Sequence, residues 1–325
     1  MAFSATFAAV VVALAASLCY AVGAGLQQQQ ASRAATERLL HPGLLWQVAR
    51  RPMWLAGFAV TLVGEVLHVL ALAWAPLAVV QPIGVTTVLF ALPVAAVLAR
   101  ARPRLRELAA ATLTVAGLVA LLAGMHVSSA PPVLENGDLV LLLPVVGGGL
   151  VLLVVLALRS SAAVRTVLLA CSAGAMFGTT AALVRLLTYR VASDGAAGLV
   201  GWATPVVIAT AVMGLLLEQA AYKSGHLGAA VAGFTVTDPL VAVAVGAWVL
   251  HQPARAEHPL LSVAEALVVV VGVVLLAGET ATQTPRTEAP RRRRAASTAP
   301  ATAVGCAPSG RAPVGAAAKA APAEN

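Results

Sequence analysis

The feature that most restricts this chain is the recurrence of apolar stretches long enough to cross a bilayer. A helix of about 20 apolar residues spans the hydrocarbon core. Such stretches lie at residues 4–26, 53–74, 77–99, 107–125, 138–158, 166–187, 199–221, 227–250 and 261–279. Backbone N–H and C=O groups find no water in hydrocarbon, so a spanning segment must be a helix or part of a closed barrel. Barrel-type alternation of polar and apolar residues is absent. Only 10% of the 325 residues are charged and 60% are hydrophobic, against about 25% charged in a soluble domain. The expected fold is an all-α polytopic membrane protein with nine transmembrane helices.

The placement of charge tests that count. With nine spans and the N-terminus outside, one side receives all of the 21 Lys and Arg except Arg185, Arg190 and Arg255. Arg100, Arg102, Arg104 and Arg106 form one block there, and Arg291–Arg294 another. Positive charge marks the cytoplasmic side. The expectation is a multi-pass plasma (cytoplasmic) membrane protein, N-terminus out and C-terminus in. The net charge of +8 is spent on helix ends and tail, and no zinc-finger spacing or aromatic-basic interleaving accompanies it, so nucleic acid is not an expected partner. Residues 27–52 are too polar to span, and their TERLLHPGLLWQVARR portion, broken by Pro42, is expected along the membrane surface. From Thr280 on, the Ala-, Pro- and Thr-rich sequence reads as a disordered basic cytoplasmic tail. Cys19, Cys171 and Cys306 are scattered and form neither a disulfide framework nor a metal spacing.

An internal repeat runs through the spans. Ser17 and Gly23 recur as Ser172 and Gly178 at an offset of 155, and Glu65 recurs as Glu218 at 153. Arg102-Pro103 recurs as Gln252-Pro253 at 150, and the LLAG ending at Gly124 recurs at Gly278, offset 154. Spans one to four then match six to nine, with span five as linker. Matching helices are five spans apart, an odd number, so the two four-helix repeats are inverted. The implied organisation is a first repeat at 1–125, a linker with span five at 126–163, a second repeat at 164–279 and the tail at 280–325. Inverted repeats are characteristic of secondary transporters, which hold their sites near the midplane.

Polar residues inside the spans are the candidate site. Charge at the bilayer centre costs about 2.5–3.5 kcal/mol on insertion scales, so an intramembrane acid usually has a function. Glu65 lies mid-span, with His68 three residues on and on the same face; a carboxylate and an imidazole so placed can share a proton or hold a cation. Asp238-Pro239, with Thr235 and Thr237 nearby, sits at the centre of span eight. Proline removes a backbone donor, and an interrupted helix exposes carbonyls beside the carboxylate. Gln81-Pro82, with Thr86 and Thr87, makes a similar polar patch in span three, although threonine hydroxyls also bond their own helix. Pro82 and Pro239 are the expected hinge or broken-helix positions. Glu218, Gln219 and Tyr222 lie near the inner end of span seven, where Glu218 can pair with Lys223. Gly174 and Gly178 read as a helix-packing pair. There is no GxxxxGK[ST] phosphate loop, HExxH or GxSxG, so neither ATP-driven transport nor enzymatic catalysis is expected, and no cofactor.

The hairpin GEVLHVLALAWAPLAVVQPIGVTTVLFALP and its partner EQAAYKSGHLGAAVAGFTVTDPLVAVAVGAWVL resemble the drug/metabolite transporter (EamA-like) superfamily. Gly64-Glu65 before an alanine-rich stretch and Ala75-Pro76, in a nine-span layout, is most similar to its NIPA-type magnesium transporter branch. The similarity covers residues 1–279. It implies a carrier with a central cavity between the second, third, seventh and eighth spans, and at matching positions it points to Glu65, Gln81, Pro82, Glu218 and Asp238. The chain departs from the family where Gly-Glu commonly ends the third helix of each repeat: here those ends read Ala101-Arg102-Pro103 and His251-Gln252-Pro253. The expected function is secondary transport of a small polar solute by alternating access. The alternatives are a Mg²⁺ transporter with Glu65 and Asp238 on the metal, or a non-transporting membrane scaffold. Expected partners are the lipid bilayer, a small-molecule or cation substrate and, for a homodimer, a second copy of the chain.

Overall fold

A computed structural model describes residues 2–35, 39–75, 77–100, 102–127, 132, 138–224, 227–252 and 254–281. The helices are α1 (Ala2–Ser32), α2 (Gly43–Ala49), α3 (Pro52–Trp74), α4 (Leu77–Val85), α5 (Thr87–Leu98), α6 (Leu105–Ala123), α7 (Asp138–Arg159), α8 (Ala162–Asp194), α9 (Ala203–Ser224), α10 (Leu227–Trp248) and α11 (Pro259–Ala281). Among the described residues, 8 helical segments are long and apolar enough to cross a membrane, and α7 adds a shorter apolar segment, Pro144–Arg159. Large apolar side chains such as Val66, Val97, Val151, Leu260 and Val270 point outward, as they must where the surroundings are lipid. The chain is a multi-pass helical membrane protein.

Several boundaries differ from those expected. The first helix continues through Gln27–Gln30 to Ser32 because its glutamines find partners inside the protein, as set out below. The sixth expected span, 166–187, lies within a helix of 33 residues, Ala162–Asp194. The third divides at Thr86 into α4 and α5. There the Ile83 carbonyl is taken by the Thr86 N–H (3.0 Å), the Thr86 hydroxyl (2.6 Å) and the Ser17 hydroxyl of α1 (2.9 Å), which closes a tighter turn and restarts the helix. The expected breaks are not found at the prolines themselves: α4 runs through Pro82 to Val85, and α10 runs through Pro239 without interruption. Proline removes one helical hydrogen bond, and close packing of α8 along the same stretch braces the backbone. The expected surface segment is the short α2, with Leu44 and Val48 buried and Trp46 outward under the Arg50 guanidinium, 4.3 Å from the ring centroid. The expected tail, beyond Ala281, lies outside the described residues.

Helices pack through small residues. α1 lies along α3, α4 and α5; α8 lies along α9 and α10; and α6 lies along α11. A Cβ on Gly57 would stand 3.0 Å from the Gly23 carbonyl oxygen, and one on Gly174 would stand 2.8 Å from that of Phe234. A Cβ on Gly178 would run into the Asp238 carbonyl, and one on Gly272 into Thr114 of α6. Hydrocarbon supplies no hydrophobic drive between helices, so such approaches supply the attraction.

The bundle has a basic end and a far end. At the basic end, Arg51 at the head of α3 donates to the carbonyls of Gln30 (3.3 Å) and Arg33 (3.0 Å), and Lys223 of α9 donates to that of Ala34. These carbonyls belong to the unsatisfied C-terminal end of α1, where cations are favoured. At the far end, β1 (Met125–Val127) pairs antiparallel with β2 (Ala254–Ala256), and the Glu257 N–H donates to the Gly124 carbonyl at 2.9 Å.

Gly178→Ala is expected to cost about 1–3 kcal/mol through overpacking against the Asp238 backbone. Gly147→Ala, where an added Cβ meets nothing within 4 Å, should be close to neutral. Equilibrium unfolding in detergent micelles checks both.

Candidate functional site

Trp54, Thr61, Glu65 and His68 follow one another at intervals of seven, four and three residues, which places them on one face of α3. Gly64, on the adjoining face, lets α3 close on α1: a Cβ there would be 3.1 Å from Tyr20 Cδ1 and 3.2 Å from the Ala16 carbonyl oxygen. That approach sets Tyr20 one position along α3 from Glu65. The Tyr20 ring also stands 6.5 Å from that of His68, tilted by 58°. On its other side His68 faces α4, its Cε1 being 3.8 Å from where a Gly84 Cβ would lie.

Asp238 of α10 is the second acid at mid-helix. Its backbone is held by Gly178 of α8, and its side chain is half-buried. Tyr20 of α1, Glu65 of α3 and Asp238 of α10 thus all stand near the middle of their helices, with Glu65 exposed. Two carboxylates that approach each other in a medium of low dielectric constant repel, and a bound cation or a shared proton relieves that repulsion.

Other expected residues take different positions. Thr86 and Thr87 direct their hydroxyls to their own helix, onto the carbonyls of Ile83 (2.6 Å) and Gly84 (2.8 Å). Gln81 and Pro82 are half-buried on α4, and Thr235 is half-buried one turn before Asp238. Glu218 does not meet Lys223: its carboxylate accepts the Tyr222 hydroxyl at 2.9 Å, while Lys223 turns to the end of α1. The i, i+4 spacing sets Tyr222 on the Glu218 face, whereas Lys223 is rotated off it.

Below the acidic site, toward the basic end, a second polar set is closed off. Gln219 is 0% exposed, Gln27 3% and Trp54 4%. The Trp54 indole N–H donates to Gln219 Oε1 at 2.9 Å, Gln219 Nε2 donates to Gln27 Oε1 at 2.9 Å, and Gln27 Nε2 donates to Thr61 Oγ1 at 3.1 Å. Trp54 also stacks on Phe58, centroids 5.4 Å apart. Sequence reasoning passed over Tyr20, Gln27 and Trp54. Two signals mark them: Tyr20 is one of only 3 tyrosines and stands mid-helix, and Trp54 shares the heptad face of Glu65. A separate hollow between Leu150 and Val154 of α7 and Met213 and Leu217 of α9 is lined by apolar side chains and offers a polar solute nothing.

The chain is 30% identical over 248 residues to an uncharacterized protein of Corynebacterium glutamicum, covering 75% of this chain and 85% of that one. The two belong to one family. No model of a described family matches the chain, and no solved structure matches it.

Trp54→Phe keeps the stacking on Phe58 and leaves Gln219 Oε1 without a donor in a buried site, at an expected cost of about 1–3 kcal/mol. Trp54→Phe combined with Gln219→Leu should lose less than the sum of the single losses, as measured by a double-mutant cycle in detergent.

Proposed function

We propose that the chain is a secondary transporter of the drug/metabolite transporter (EamA-like) superfamily, moving a small polar solute by alternating access. The reading rests above all on two acids near mid-helix, exposed Glu65 of α3 with Tyr20 packed at the adjoining Gly64, and half-buried Asp238 of α10. A pair of acids in that position is costly to a membrane protein and useful to a carrier of cations or protons. Glu65 binds the cation or couples protons, Asp238 opposes it, and His68 lines the hollow.

The same reading takes α7 as a ninth, linking span between two inverted four-helix repeats: α1, α3, α4–α5 and α6, then α8, α9, α10 and α11. The packing pattern supports it, since α1 contacts α3 and α4–α5 as α8 contacts α9 and α10. So does the backbone. Arg100 (φ 52°) follows α5 and His251 (φ 50°) follows α10, two left-handed residues closing the matched third helices.

A hydrated Mg²⁺ is the second reading, favoured by the two carboxylates, because the ion prefers oxygen ligands and keeps several waters. Among the described residues no three His, Cys, Asp or Glu side chains converge as a metal site, so the ion would be held through its waters.

Proteoliposomes carrying a trapped magnesium dye, followed by a screen of proton-coupled movement of small metabolites, test these readings. Saturable flux that falls at least tenfold in both Glu65→Gln and Asp238→Asn supports transport through this site, and the solute that moves selects the reading. Flux indifferent to both substitutions overturns the site. Folded, oriented protein that moves nothing leaves the scaffold reading.

A further inference from the structure

Three apolar cores stabilise the bundle, and they are not evenly placed. The largest lies toward the basic end and joins all the helices around the hollow: Ala24 of α1, Leu92 of α5, Leu169 of α8, Leu217 of α9 and Leu227 of α10 all belong to it. At the far end there are two separate cores. One gathers Ala9, Ala13, Ala71 and Val80 from α1, α3 and α4; the other gathers Leu142, Leu183, Ala203 and Val245 from α7–α10. Among the described residues the two helix groups therefore share one apolar core at the basic end and have separate cores at the far end, where α6, α11 and the β1–β2 pair still bridge them.

Exposure along single helices says the same. On α10 every residue from Leu227 to Gly233 is buried, and every residue from Phe234 to Ala244 is half-exposed. On α3 the same face is closed at Trp54 and open at Glu65. The closed end carries cross-links between the two groups made by a short stretch of α9. Gln219 takes the Trp54 indole N–H of α3 and gives a hydrogen bond to Gln27 of α1, and one turn on Lys223 holds the end of α1.

We infer that this conformation is closed at the basic end and open at the far end, and that the Gln219 side chain is the latch that keeps it so. Basic residues mark the cytoplasmic side, so the open mouth faces outward. Two neutral hydrogen bonds suit a latch. They are strong enough in a dry layer to favour one state, yet they carry no ionic desolvation to undo when the halves part.

The test uses the full chain with Cys19, Cys171 and Cys306 replaced by Ser, in right-side-out and inside-out vesicles, and a membrane-impermeant maleimide. Two single-cysteine reporters are compared, Glu65→Cys in the hollow and Ala221→Cys in the closed layer. With the latch intact, Glu65→Cys should react from the outer face at least tenfold faster than Ala221→Cys reacts from either face. Adding Gln219→Leu should raise Ala221→Cys labelling from the cytoplasmic face tenfold or more and slow Glu65→Cys. Trp54→Phe, which removes one bond and keeps the stack, should move both rates the same way by less. It decides alone if Gln219→Leu does not remain monodisperse by gel filtration. Rates at both reporters indifferent to the latch substitutions overturn the inference, and so does free labelling of Ala221→Cys from the cytoplasmic face with Gln219 in place. Labelling needs no solute, so a failed transport assay leaves the result standing.

Discussion

An apolar side chain gains nothing by leaving lipid for the inside of a membrane protein, so this fold depends on how closely helix backbones approach. Glycines at 57 and 64 seat α3 on α1, and those at 174 and 178 seat α10 on α8. Each contact forfeits side-chain volume and gains dispersion attraction over a whole helix face. The functional geometry follows directly. Gly64 brings Tyr20 against α3 one position from Glu65, and Gly178 carries the backbone of Asp238, so the residues that set helix spacing also set the carboxylates.

Polar side chains do the rest, and they are sorted by depth. Toward the basic end the buried polar side chains of the described residues are paired: Gln27, Gln219 and Trp54 with one another, Glu218 with Tyr222, and the carbonyls at the α1 terminus with Arg51 and Lys223. Midway, Glu65 is exposed and Asp238 half-buried. A paired buried group is neutral toward solutes and rigid; an acid exposed at half-depth is costly unless something charged visits it.

Much of this was legible in the sequence because bilayers impose few options. Apolar length placed the helices, Glu65 and Asp238 stood out as charges with no other reason to be there, and the small-residue pair at 174 and 178 marked a contact. What was not legible depends on partners distant in sequence. The polar run 27–30 reads as a helix end because its glutamines look solvated, whereas Gln27 is satisfied by Gln219 across 192 residues. Pro239 reads as a break because the bracing by α8 is tertiary. Thr86 divides a helix because Ser17, 66 residues away, takes part of a carbonyl's capacity. The repeat is legible as spacing but not as use: Gly23 lies against α3, whereas its match Gly178 lies against α10.

Under the inverted-repeat reading, Glu65 and Glu218 are the same residue twice, and their surroundings differ in the way a two-state carrier requires. Each has a tyrosine close by: Tyr20 packs at Gly64, one position from Glu65, and Tyr222 donates to Glu218. Glu65 lies beyond mid-helix on α3, on the far-end side, in the open hollow; Glu218 lies beyond mid-helix on α9, on the basic-end side, beside the latch. The two tyrosines are not matched positions, since at the repeat offsets Tyr20 corresponds to Ala175 and Tyr222 to Val69. Opening the basic end would give Glu218 the exposure that Glu65 has here. Closing the far end would give Glu65 the burial of Glu218. The asymmetry between the two glutamates is then written partly into the sequence, with Gln219 adjoining Glu218 where Val66 adjoins Glu65.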